Sequence, residues 1–193
     1  MSGVRLGLFG YGSLVLPESA SMTLGRPVGE LRPARLHEWR RRFSQRRDNL
    51  TCEKTFECAE GWRPEWILGL NVEEGEDEAG PVNGVVIELT EAELDRLDIR
   101  EIRYDRVDVT GLVVGDELPE RIVTYKAKEF HFAPEPPEDA VILRTYADAV
   151  EKGFEGLGPG ELEHYQATTP YPVDRVEATL VIDRIPDGNP RDW

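Results

Sequence analysis

Apolar residues in this chain come in short runs broken by polar and glycine-bearing turns, and most runs alternate or are continuous instead of keeping a helical period. The pattern predicts a strand over Val4 to Phe9, ending at Gly10, then a loop over Arg26 to Pro33. A strand carrying many arginines is expected over Arg35 to Phe43 and another over Trp66 to Val72. The stretch Arg46 to Arg63 is polar and matches no template. Glu73 to Gly80 is acidic and contains glycine, which suggests a hairpin tip. Val82 to Leu89, with Val85, Val86 and Ile87 together, predicts a buried strand.

Thr90 with Glu93 three residues on is a capping box, and Leu94 and Leu97 follow, so a short helix is expected from Glu91 to about Asp98. Tyr104 to Val114 alternates as a half-buried strand, and Arg121 to Lys126 is a further strand. A helix is expected from about Glu138 to Phe154, because Leu143, Tyr146, Val150 and Phe154 recur at three- and four-residue steps. Glycines at 156, 158 and 160 break it, Pro159 permits a short helix after it, and Val176 to Ile182 alternates as a last strand. Strands outnumber helices and do not alternate with them as βαβα. The expected class is therefore α+β, with a small closed or strongly curved mixed β-sheet, barrel-like, flanked by helices. The expected organisation is a single domain over 1–193, with a less assignable C-terminal extension from about residue 170.

Composition narrows the partners. With 193 residues, 39% hydrophobic and 32% charged, the chain can form a core without a metal or disulfide. Its net charge of −15 repels phosphate backbones and anionic lipid, so neither nucleic acid nor membrane is an expected partner. No apolar run reaches the length of a membrane span, and the amino terminus lacks the pattern of a signal peptide. A cytoplasmic protein, monomer or homodimer, is the expectation. Cys52 and Cys58 are six positions apart, and His37, His131 and His164 are scattered without ligand spacing. They read as reduced thiols, not as a redox pair or zinc site, and no metal or cofactor is expected.

Two segments carry candidate chemistry. In Phe9-Gly10-Tyr11-Gly12-Ser13-Leu14, two glycines directly after a strand permit positive φ and can turn backbone amides outward as donors to a carboxylate or oxyanion. The dinucleotide pattern fails, because Val15 stands where its third glycine belongs, and no phosphate-loop lysine follows. A tight turn with a packed tyrosine fits the same residues. In Leu97-Asp98-Ile99-Arg100-Glu101-Ile102-Arg103-Tyr104, Glu101 lies between a helix and a strand that can aim it into a cavity, while Arg100 and Arg103 would equally make it a surface ion pair. The arginines at 32, 35, 40, 41, 42, 46 and 47 read either as outward strand faces paired with carboxylates or as local attraction for an anion.

Together the two segments resemble the γ-glutamylcyclotransferase-like family, including its ChaC-type branch. The carriers are the amino-terminal strand with Tyr11-Gly12-Ser13-Leu14 and, after the strand Gly84 to Leu89, Leu97-Asp98 to Glu101 and Tyr104. The arginine-rich strand and the Tyr146 to Gly153 helix are also similar, so the resemblance spans roughly residues 4 to 165. After the loop this chain has Val15-Leu16-Pro17-Glu18, where the ChaC-type branch has a tryptophan-lysine-proline-like stretch. The resemblance implies a cofactor-independent enzyme acting on a small γ-glutamyl molecule by internal aminolysis, releasing 5-oxoproline and an amine or amino acid. Glu101 would be the catalytic acid/base, and Tyr11, Gly12, Ser13, Leu14, Val15 and Tyr104 would bind substrate. A non-catalytic small-ligand-binding module on the same scaffold is the alternative.

Overall fold

The computed structural model describes residues 4–75, 78–189 and 191. The first strand, β1 (Leu6–Gly10), is buried along its whole length, as a strand covered on both faces must be. Its neighbours are β6 (Val82–Leu89), antiparallel, and β9 (Arg121–Ala127), parallel. The sheet is completed by β7 (Tyr104–Asp108) beyond β9, and by β2 (Pro33–Leu36) and β8 (Val113–Val114) beyond β6. A second sheet has the order β11 (Arg175–Val176), β10 (Ala140–Leu143), β5 (Trp66–Glu74), β3 (Trp39–Asp48). A small third sheet pairs β4 (Lys54–Glu57) with β12 (Thr179–Asp183).

Side chains join the two larger sheets into a curled half-barrel. On one side the Ala127 N–H of β9 donates to Asn71 Oδ1 of β5 at 2.7 Å, and the Tyr104 hydroxyl donates to Leu70 O at 2.9 Å. On the other, Arg41 of β3 reaches the Asn83 carbonyl of β6 at 2.7 Å. The helices are α1 (Pro17–Leu24), α2 (Glu91–Arg100), α3 (Arg144–Leu157) and α4 (Glu161–Thr168). The class is α+β with a mixed, strongly curved sheet, as the pattern predicts.

Several boundaries differ for physical reasons. The arginine-rich run is two strands in two sheets, because exposed Glu38 adopts a left-handed conformation (φ 64°) and redirects the chain between β2 and β3. The acidic turn after β5 is not a hairpin tip: β5 pairs with β3 and β10 and β6 pairs with β1 and β2, so it links two sheets, with residues 76 and 77 outside the described ones. The helix expected from Glu138 begins only at Arg144. Ala140–Leu143 is fully buried and apolar, and it pairs in parallel with both β5 and β11. The alternating run from Tyr104 breaks at a 3-10 turn over Thr110–Leu112, and the last strand divides into β11 and β12. Helix α1 had no clear sequence signal; its buried residues are only Ala20, Thr23 and Leu24. The capping box is present, with the Glu93 N–H donating to Thr90 Oγ1 and the Thr90 N–H donating to Glu93 Oε2. Among the described residues no helix is long and apolar enough to cross a membrane.

Candidate active site

The chain leaves β1 at Gly10 and makes one 3-10 turn, Ser13–Val15, before α1. Within it the amides of Val15 and Leu16 bond back to Gly12 O and Ser13 O at 3.0 and 3.2 Å. The amides of Gly12, Ser13 and Leu14 come before those bonds and take no partner among the described residues, as the opening amides of a helical turn do. The glycines serve close approach here, not positive φ: neither Gly10 nor Gly12 has one. A Cβ on Gly12 would stand 3.2 Å from the Tyr146 hydroxyl, and one on Gly10 would stand 3.2 Å from Leu14 Cβ.

The loop is fixed from three sides. The buried Tyr11 hydroxyl donates to Tyr125 O at 2.6 Å. Arg41 Nη1 donates to Tyr11 O at 3.1 Å. Helix α3 crosses behind it at Gly153, where a Cβ would lie 2.5 Å from Val15 Cγ2. Val15, expected among the binding residues, is wholly buried against this helix and does not line the cavity.

Glu101 caps the C-terminus of α2. Its N–H donates to Leu97 O at 2.7 Å, and its carbonyl accepts from the Tyr104 N–H at 2.8 Å. Its side chain is 20% exposed and contacts Arg100 Nη1 at 3.3 Å. Arg103 turns away and forms a two-pronged contact with Glu53 at 2.6 and 2.7 Å. Glu101 is thus not a simple surface ion pair: burial pushes its carboxyl above the ordinary 4.5, and the charges of Arg100 and Arg103 only partly oppose that.

These two segments meet at one cavity of about 70 Å³. Its walls include Tyr11, Gly12, Ser13 and Leu14 from the loop, with Glu101 and Tyr104 from the α2–β7 junction. Leu70, Tyr125 and Tyr146 complete it, together with Leu8 and Phe9 of β1. The residues at 70, 125 and 146 were not identified from sequence. Tyr146 lies on the helix face that reads as core, and its one signal there is a hydroxyl on an otherwise apolar stripe. Burial raises the Tyr11, Tyr104, Tyr125 and Tyr146 hydroxyls above the ordinary tyrosine value, and the charge of Glu101 raises each further. All four phenols therefore stay protonated at neutral pH; the Tyr11 hydroxyl donates to Tyr125 O, that of Tyr104 to Leu70 O and that of Tyr125 to Asp98 Oδ1. Among the described residues no group of three or more histidine, cysteine or acidic side chains could hold a metal. Cys52 and Cys58 are free thiols.

The arginines divide. Arg35, Arg40 and Arg42 pair with Glu161, Glu73 and Glu73 at 2.7, 3.3 and 3.7 Å, and Arg32 pairs with Glu117. Arg41 departs from the outward-facing reading and is fully buried, because β3 turns that position towards α3 and α4.

Comparison with solved structures bears on this arrangement. One named gamma-glutamyl cyclotransferase superposes with a TM-score of 0.59 at 18% identity, over 88% of this chain and 90% of its own. The chain has a γ-glutamylcyclotransferase-like fold. A human protein described as uncharacterized has the same architecture, with a TM-score of 0.61 at 18% identity over 89% of this chain and 92% of that one. No family model and no curated protein matches the sequence.

Proposed function

We propose that the protein is a γ-glutamyl cyclotransferase in the cytoplasm, converting a small γ-glutamyl compound to 5-oxoproline and a free amine or amino acid. The observation that carries this reading is the shared cavity, where a carboxyl with raised pKa faces the same space as three unpartnered loop amides. The α-amine of the γ-glutamyl unit attacks its own γ-carbonyl carbon. A C–N bond forms, the carbonyl oxygen becomes an oxyanion, and the bond to the leaving nitrogen then breaks.

Glu101 takes a proton from the α-ammonium and returns it to the leaving nitrogen, and the ring nitrogen passes its second surplus proton to the departing amine, leaving a neutral lactam N–H. Deprotonating an amine of pKa about 8 at neutral pH costs about 1 kcal/mol, so the base has a small task. A carboxyl raised towards neutrality suits it better than an ordinary one. The larger barriers are ring-closing orientation and oxyanion charge. Amides of Gly12, Ser13 and Leu14 can hold the α-carboxylate and the oxyanion, and one such donor is typically worth about 3 kcal/mol. Ser13 contributes its amide and is not a nucleophile. The hydroxyl of Tyr104 is already committed to Leu70 O, so it shapes the wall more than it donates to substrate.

The direct test is incubation of pure protein with glutathione, γ-glutamyl dipeptides and γ-glutamylamines, with 5-oxoproline as the readout. Turnover of at least one class is expected. Glu101→Gln should reduce it at least about a hundredfold without lowering the melting transition. Absence of turnover with every class would reject the reaction. Ligand binding without turnover would instead favour a non-catalytic binding module.

A further inference from the structure

Arg41 carries a buried charge that the reaction above does not use. Its side chain is fully enclosed, and every group it bonds is neutral. Nη1 donates to Tyr11 O and Asn83 O at 3.1 and 2.7 Å, Nη2 to Asn83 Oδ1 at 2.8 Å, and Nε to Thr169 Oγ1 at 2.9 Å. The guanidinium carbon lies 4.8 Å from the Phe154 ring centre and 4.6 Å from that of Tyr165. Among the described residues no carboxylate is in ion-pair contact with it. The nearest in the network, Glu161, accepts from Asn83 Nδ2 at 2.8 Å and is already paired with Arg35. A buried cation without a counter-charge is costly, and a neutral side chain could supply the same carbonyl contacts at less cost. Burial accordingly pulls Arg41 down to about 10, which still leaves it cationic at neutral pH.

The contact to Tyr11 O gives this charge a direction. That carbonyl belongs to the same peptide unit as the Gly12 N–H, one of the three unpartnered amides, so a charged donor on its oxygen polarises the N–H on the cavity side. Among the described residues no lysine or arginine lines the cavity itself. We propose that Arg41 is a positioning residue that makes the loop a carboxylate site. It fixes the Tyr11–Gly12 peptide plane and supplies, through it, the positive charge that the substrate's α-carboxylate balances. This rests on the γ-glutamyl reading for the identity of the carboxylate, but its test does not need turnover.

The test uses the full chain, with 5-oxoproline and its carboxamide as paired probes in calorimetric titration. The wild type should bind the carboxylate roughly tenfold more tightly than the carboxamide, as expected for a charge-assisted contact. Arg41→Gln should bring the two affinities together, and Arg41→Lys, which keeps the charge, should retain most of the preference. In turnover, Arg41→Gln should raise KM for a γ-glutamyl substrate much more than for its α-carboxamide analogue. Equal affinity of the wild type for both probes, or binding of neither, overturns the proposal, and that outcome does not require a variant to fold. Preference retained in folded Arg41→Gln, or lost in folded Arg41→Lys, also overturns it. An Arg41-dependent preference without any 5-oxoproline release would leave this inference standing and remove the cyclisation reading, and the converse result would do the reverse.

Discussion

The Glu101 carboxyl is pulled two ways, and which pull wins has measurable consequences. Burial raises its pKa more than Arg100 and Arg103 lower it. For a base the ionised form is the active one, so kcat/KM should rise with pH through a midpoint above 4.5. The stability consequence has the opposite sign from that of an ordinary paired carboxylate. A folded pKa above the unfolded one means that the native state binds more protons in the window between them. The protein should therefore lose stability as pH rises from about 4.5 through the folded value, and Glu101→Gln should lack that loss. Urea unfolding of both proteins at several pH values measures it. A gap between them that stays constant as pH rises would place the carboxyl in water.

At the scale of elements, the loop is held in place by a helix packed against its back. Gly153 lets α3 approach so closely that an added Cβ would meet Val15 Cγ2 at 2.5 Å and the Leu16 backbone nitrogen at 2.9 Å. Alanine gains up to about 1 kcal/mol of helix propensity over glycine. The contact is largely with backbone, which cannot rotate away, and overpacking of this kind costs about 1–3 kcal/mol. The clash should win. Gly153→Ala is expected to lower the unfolding free energy and, by displacing the turn over Ser13–Val15, to reduce 5-oxoproline formation. Thermal melts and steady-state rates check both. An unchanged rate would show that the loop tolerates movement.

Across the whole molecule, the C-terminal segment is tied to the neighbourhood of the site through charges. Glu53, next to β4, accepts from Arg103 and from Arg191, whose Nη2 lies 2.7 Å from Glu53 Oε1. Burial alone would raise the Glu53 carboxyl, but these two arginines outweigh it and hold it at about 2. This contribution is present above the ordinary 4.5 and is lost as pH falls through about 2. Acidification should loosen the β4–β12 sheet, and Glu53→Gln should remove that component of the acid sensitivity. Hydrogen exchange of residues 179–183 between roughly pH 6 and roughly pH 2, which spans that window, reports it. Exchange that is the same in both proteins at every pH would mean that the sheet is held by its ladder alone.

The elements written in local order were legible in the sequence: β1, β6, the capped helix α2, and the loop at Tyr11. Each depends on residues close together in the chain, such as Thr90 with Glu93. Sequence also placed Glu101 at a helix–strand junction, because capping and alternation mark both sides of it. Other features depended on neighbours far along the chain. Ala140–Leu143 is a strand because β5 and β11 flank it, although its spacing to Tyr146 mimics a helix. Glu38 separates one apparent strand into two sheets because Pro33–Leu36 finds its partners in β6 and β8 while Trp39–Asp48 pairs with β5. Tyr125 joins the cavity and Arg41 goes inward because strand curvature decides which face is interior, and Tyr146 joins it because α3 packs behind the loop. Periodicity can identify the two faces of a strand, but only the packed sheet determines what each face meets.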